Sequence, residues 1–294
     1  MSSSIEASAP SFGAKLTKGI WHFISRRPLG AAGIIIIITM CLIAAAADII
    51  TFNDPVDWNL KHKLESPNWN FWLGTDDKGR DLWARITIGA RVSLMVGFLS
   101  VAFGSGLGGV LGIVSAWYGG KVDNSIQRIM DALMSIPTLI LALAVTAALG
   151  QSLTNIIIAV GIVQIPRANR VVRSQAITIK ESQYVDAARA IGANNFRIML
   201  MHITPQCVAP FLIISTSALG IAILTEASLS YLGLGVPPPN PSWGGMLSGE
   251  ARDYFILAPW MAIWPGLALS LSVYGFNLFG DALRDALDPR LRGT

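Results

Sequence analysis

The stretch VSLMVGFLSVAFGSGLGGVLGIVSAWY, residues 92–118, carries no charged side chain and decides the class of the protein. Wound as an α-helix it reaches about 40 Å, more than the roughly 30 Å hydrocarbon layer of a bilayer. Within it Gly104-Ser105-Gly106-Leu107-Gly108-Gly109 matches a dinucleotide-binding fingerprint letter for letter. That motif has meaning only between a strand and a helix. Inside an apolar run, Gly104, Gly108 and Gly112, with Ser105 and Gly109 beside them, form instead a small-residue face that lets another helix approach closely.

Outward from this run the chain repeats the pattern. Further apolar segments lie at Leu29–Ala47, Ile129–Leu149, Leu153–Ile165, Val208–Leu234 and Phe255–Phe279, the third of these being short. The composition agrees: 52% hydrophobic, 14% charged and a mean hydropathy of +0.53. Soluble domains carry about a quarter charged residues. Six membrane spans are expected, and they must be helices because an open sheet edge leaves backbone groups unsatisfied in lipid. The fold class is therefore all-α and polytopic. The first run follows a 28-residue polar tail and lacks a small-x-small exit, so it reads as a span rather than a cleaved leader.

The basic residues give the orientation. Lys15, Lys18, Arg26 and Arg27 precede the first run, and Arg167, Arg170, Arg173, Lys180, Arg189 and Arg197 crowd one long connection. Under the positive-inside rule both termini are cytoplasmic, and the net charge of +4 needs no nucleic-acid partner. The expected order is a cytoplasmic tail (1–28), a first helix (29–50), an outer loop (51–91), a core of five helices (92–283) and a second tail (284–294). The core contains a cytoplasmic loop at about 167–205 and an outer loop at about 235–254 with Pro237-Pro238-Pro239-Asn240-Pro241.

Chemistry-bearing patterns are few. Gly119-Gly120-Lys121 lacks the spacing and the hydroxyl of a phosphate-binding loop, so the chain is not itself an ATPase. Cys41 and Cys207 have no disulfide or metal spacing, and His22, His62 and His202 are scattered, so no metal or cofactor is expected. Asp76, Asp77 and Asp81 alternate with Lys78 and Arg80 as a surface network would. No enzyme is expected. Glu226, flanked on both sides by apolar sequence, is a candidate pore or gate residue, because ionisable groups inside spans carry function by default. Asp131 reads as one half of a boundary ion pair with Arg128.

The loop at 167–205 is too long for a plain connection. Glu181 to Ile191 reads as a helix with Tyr184, Ala187, Ala188 and Ile191 on one face, Gly192 breaks it, and a second helix over Asn194–His202 ends before Pro205. Such a face suits docking in a partner's groove.

Here a family resemblance becomes specific. Asp186-Ala187-Ala188, then Gly192, then Pro205, resembles the "EAA…G…P" loop of permease subunits of ATP-binding-cassette importers. Asp186 stands in place of the usual Glu, and His202-Ile203-Thr204-Pro205 in place of I-x-L-P. The segments Trp72-Leu73-Gly74-Thr75-Asp76-Asp77-Lys78-Gly79-Arg80-Asp81, Arg128-Ile129-Met130-Asp131 with Ile136-Pro137, and Glu226 to Gly235 leading to Trp243-Gly244 are similar to C-type permeases of dipeptide, oligopeptide and nickel importers. The resemblance implies a bacterial inner-membrane subunit that forms half of a pore with a second homologous permease. It implies two cytoplasmic ATPases docked on Tyr184, Asp186, Ala187, Ala188, Ile191, Gly192 and Pro205. A solute-binding protein would meet Trp72, Asp76, Asp77, Arg80 and Trp243. Peptide is the expected solute, with nickel, glutathione, opines or oligosaccharides as alternatives. A secondary transporter using Glu226 or Asp131 is the rival, and it would call for an inverted repeat that the sequence does not display.

Overall fold

A computed structural model of the protein describes residues 28–287. The tail 1–27 and the last residues, 288–294, lie outside them, with most of the two expected tails. Helix α1 is Pro28–Ile50 and α2 is Leu82–Tyr118, whose N-cap Asp81 accepts from the N–H of Trp83. Then come α3 (Gly120–Met134), α4 (Thr138–Leu149) and α5 (Leu153–Lys180). The short α6 (Gln183–Ala190) and α7 (Asn195–Ile198) follow, and a π turn at Met199–Ile203 carries α7 into α8 (Thr204–Tyr231). Two short helices, α9 (Trp243–Leu247) and α10 (Glu250–Asp253), precede α11 (Trp260–Leu287). Apart from an isolated bridge between Thr75 and Asp81, the described residues form helices, turns and loops.

Four helices are long and apolar enough to cross a membrane: α1, α2, the continuous Asn195–Tyr231 and α11; the pair α3–α4 would make a fifth. The expected third run is not one straight helix. Its two halves meet at 95° across Ser135-Ile136-Pro137. Proline has no N–H to donate and pushes the residue before it out of the helical region, so Ile136 cannot continue the turn. The expected fourth run is the first half of α5, whose second half carries Arg167, Arg170, Arg173 and Lys180. Its apolar half alone is too short to span at 1.5 Å per residue.

Helices α2 and α5 pack side by side and run in the same direction. A Cβ on Gly104 would overlap the Gly161 carbonyl oxygen, one on Gly108 the Ile165 oxygen, and one on Gly112 would stand 2.8 Å from the Asn169 oxygen. The small-residue face read from the sequence is this contact. Gly33 and Gly275 make a similar one between α1 and α11. In lipid there is no hydrophobic drive between helices, so close backbone approach and polar ties hold the bundle together. One such tie joins α2, α3 and α5: Gln127 donates to Ser115 Oγ and Asn169 Oδ1 at 3.0 Å, and Arg173 forks onto Asp123 at 2.5–2.7 Å. Asp131 pairs with Arg170 on α5 at 2.7 Å, not with Arg128 as the sequence suggested.

The bundle has two unlike ends. One carries Lys180, Arg189, Arg197 and the helices α6 and α7. The other carries Trp58, Trp69 and Trp72 before α2, Trp83 in its first turn, Trp243 between α8 and α11, and Trp260 at the start of α11. They are called here the arginine-rich and the tryptophan-rich end.

Candidate functional site

At the arginine-rich end the expected helix–turn–helix is present. Helix α6 stops at Gly192, whose φ of +84° is the left-handed conformation that glycine adopts freely. The turn closes by the Ala193 N–H donating to the Ala188 carbonyl at 3.0 Å and the Gly192 N–H to the Arg189 carbonyl at 2.9 Å, a Schellman end. Val185 and Ala188 are buried with Ile198, Ile203 and Cys207 in a small core against Val172, Ala176 and Ile179 of α5 and Ala116 and Trp117 of α2. The indole of Trp117 is a platform: the Arg189 guanidinium lies 4.9 Å and the Lys180 ammonium 5.9 Å from its ring centre. Lys180 also donates to the carbonyls of Ala116 and Trp117 at 3.1 and 2.8 Å, capping the end of α2.

The helix presents the expected face except at one position. Ala188 points into the core and serves as an anchor, whereas Tyr184, Ala187 and Ile191 are exposed, Ile191 to 86%. Asp186 is exposed as well and pairs with Arg189 at 2.8 Å. Pro205 does not end the second helix. It lies just past the π turn, whose wider i→i+5 pitch absorbs a residue that cannot donate, and Thr204 Oγ1 bonds the Met199 carbonyl there at 2.8 Å. Phe196, 67% exposed, extends the apolar surface beside Ile191 and was missed because α7 is a single turn with no apolar periodicity to read.

The tryptophan-rich end is built inward. The expected surface network is buried: Asp76 accepts from Arg80 Nε at 2.6 Å and lies 3.5 Å from Arg85 Nε, with all three side chains about nine-tenths enclosed. Asp76 Oδ1 also accepts from the N–H groups of Lys78 and Arg80 at 2.9 Å, so one carboxylate fixes the whole 76–80 turn. Burial pushes the Asp81 carboxyl up, against hydrogen bonds from Asn53 and the N–H groups of Trp83 and Ala84. Trp243 is fully buried, its Nε1 donating to the Ile86 carbonyl at 3.0 Å. Asp76, Arg80 and Trp243 therefore offer no side-chain surface to a binding protein here. Trp72 is exposed and packs against Phe52 and Trp83, and Asp77 is half-buried.

Glu226 does not line a channel in this subunit. It is fully enclosed, accepting from Ser230 Oγ at 2.8 Å and Ser93 Oγ at 3.3 Å. The same hydroxyls hold the 233–247 loop: Trp243 N–H donates to Ser93 Oγ at 3.3 Å, Val236 N–H to Ser230 Oγ at 3.4 Å, and Ser242 Oγ to Ser230 Oγ at 3.3 Å. Gly244 fits against Ala227, where a Cβ would collide with its backbone. The carboxylate is thus the hub that ties α2, α8 and the 233–247 loop.

An α-helical bundle held by small-residue contacts, with four helices long and apolar enough to cross a membrane and a short helix mounted by its buried face at one end, is the architecture of a multi-pass membrane protein. The family model for the binding-protein-dependent transport system inner membrane component matches residues 108–293, and the chain belongs to that family. It is 42% identical over 269 residues to the dipeptide transport system permease protein DppC of Alkalihalophilus pseudofirmus, covering 92% of this chain and 88% of that one. It is 39% identical over 271 residues to the glutathione transport system permease protein GsiD of Pectobacterium atrosepticum, covering 92% and 90%. Among solved structures it resembles a chain of the MetNI methionine ABC transporter, described in inward-facing conformations, with a TM-score of 0.58 and 19% identity over 70% of this chain and 97% of that one. The protein is a multi-pass inner-membrane component of a binding-protein-dependent transport system, similar throughout to permease proteins.

Proposed function

We propose that the chain forms half of the translocation pore of a peptide importer and pairs with a second homologous permease. Two ATPases dock at the arginine-rich, cytoplasmic end on Tyr184, Asp186, Ala187, Ile191 and Gly192, while Ala188 and Pro205 hold that surface in place. A solute-binding protein docks at the outer, tryptophan-rich end, where Trp72 and Asp77 are accessible. Both termini are cytoplasmic. The observation that carries this reading is the rigid mounting of α6: its buried face and the Trp117 platform connect any displacement of the exposed face directly to α2 and α5. ATP-driven closure of the docked subunits then biases the bundle between inward- and outward-open arrangements. Glu226 serves the outer gate as the tie that keeps the 233–247 loop on α2 and α8. The names of the dipeptide and glutathione relatives support a peptide-like solute.

Affinity purification from gently solubilised membranes tests this. ATP-hydrolysing subunits and a second permease are expected to co-purify; a chain that comes alone and hydrolyses nothing would overturn the reading.

A further inference from the structure

Where α3 and α4 bend apart at Pro137, a cavity of about 270 Å³ opens between the break, α5 and α8. Its wall includes Met134, Thr138, Gln164, Pro166, Arg167 and Ile221. Gln164 is only 5% exposed, and its Nε2 has no hydrogen-bond partner among the described residues. A buried amide donor left unmet needs a partner, and a rotation of the side chain toward the cavity that Gln164 lines would give it one. Arg167, one turn further along the same helix, is exposed and has no ion-pair partner among the described residues. Its neighbours differ: Arg170 is paired with Asp131 and Arg173 with Asp123.

The level of Arg167 matters. Gly108 of α2 abuts Ile165 and Ala168 of α5, so Arg167 stands level with the exposed apolar side chains Leu107 and Val110 on the outside of α2. A guanidinium is costly to hold against hydrocarbon, and the cavity that Arg167 helps to line offers it a polar alternative. Pro166 adds polarity, because its missing N–H leaves the Ile162 carbonyl without its helical donor.

We propose that this cavity is a solute-binding subsite on the translocation path, in which Arg167 and the Gln164 amide hold the carboxylate of a peptide-like solute while the apolar wall receives its last side chain. A planar guanidinium suits a carboxylate, and an amide N–H adds a second donor. The volume fits the end of a peptide, with the rest of the solute left in the path between the two permeases. The inference rests on the peptide-importer reading above.

The complete assembly, with its ATPases, second permease and binding protein, is reconstituted in proteoliposomes. ATP-driven uptake of radiolabelled trialanine is compared with that of its C-terminal amide. Arg167→Gln and Gln164→Leu are each expected to lower the rate ratio of acid to amide by about tenfold, the scale of one charge-assisted contact, with stimulated ATP hydrolysis unchanged. Arg167→Lys retains part of the preference, and Ile221→Trp, which fills the cavity, blocks both peptides while the assembly still purifies intact. An unchanged ratio, or equal loss for acid and amide in the first two variants, overturns the subsite. Loss of the second permease from Arg167→Gln preparations overturns it too, and assigns Arg167 to a partner's carboxylate. If the wild-type assembly imports neither peptide, the peptide reading itself fails, and the subsite with it.

Discussion

The two ends of the bundle carry sequence motifs of similar length and treat them in opposite ways. At the tryptophan-rich end, Asp76, Arg80, Glu226 and Trp243 are consumed internally, each satisfied by groups of the same chain. At the arginine-rich end, α6 keeps Tyr184, Ala187 and Ile191 in solvent and spends only Val185 and Ala188 on attachment. A motif that is charged and aromatic can therefore be architecture, while one made of alanine and glycine can be the contact surface. The difference lies in whether a residue's chemistry is already answered within its own chain.

The comparison breaks first at Trp243. Trp243→Ala removes a fully buried indole and a hydrogen bond to Ile86, and is expected to lower stability by about 3–5 kcal/mol. The check is thermal unfolding of the purified assembly. Unaltered unfolding together with lost binding-protein association would turn Trp243 into a docking residue after all. Asp76→Asn comes next. It leaves Arg80 and Arg85 enclosed without the carboxylate that both approach, with an expected loss of up to about 3–5 kcal/mol, the usual effect of removing one member of a buried ion pair. Proteolysis of the 51–81 segment should accelerate in this variant, and a rate equal to wild type would count against the buried network.

How much of this was legible follows from the same contrast. Apolar runs and the Gly104–Gly108–Gly112 face could be read because lipid imposes length and small residues impose contact, and both are local properties of the chain. The glycine turn at 192 was legible because its conformation is local too. The break at Pro137 was missed by counting hydropathy through it, although the proline was in view. The fate of Asp76 and Trp243 was not legible, since their partners Arg85 and Ile86 lie on α2 and only the fold brings them together. The face of α6 was assigned by periodicity, which gives the angle between residues but not which side meets the core, so Ala188 fell on the wrong side.

At the arginine-rich end the expected effects on stability are small. Gly192→Ala adds a methyl group that meets open space, so only its backbone preference is penalised: a left-handed φ costs a non-glycine residue about 1 kcal/mol. The turn should loosen locally, visible as faster amide exchange at Ala193, whose N–H closes it.

Ile191→Glu changes stability least, because the side chain already stands in solvent and surface substitutions usually shift stability by less than about 0.5 kcal/mol. If the exposed face of α6 is where the ATPases sit, however, a carboxylate there must be desolvated on docking without a partner. Assembly and stimulated ATP hydrolysis should then fall while the unfolding temperature of the subunit stays where it was. That split cannot arise from a damaged core, since Val185 and Ala188 remain in place, and it would distinguish a contact face from an architectural one with a single side chain. Full coupling in Ile191→Glu would instead make the arginine-rich end as self-contained as the tryptophan-rich one, and would move the search for the docking surface to Phe196 and the turn before it.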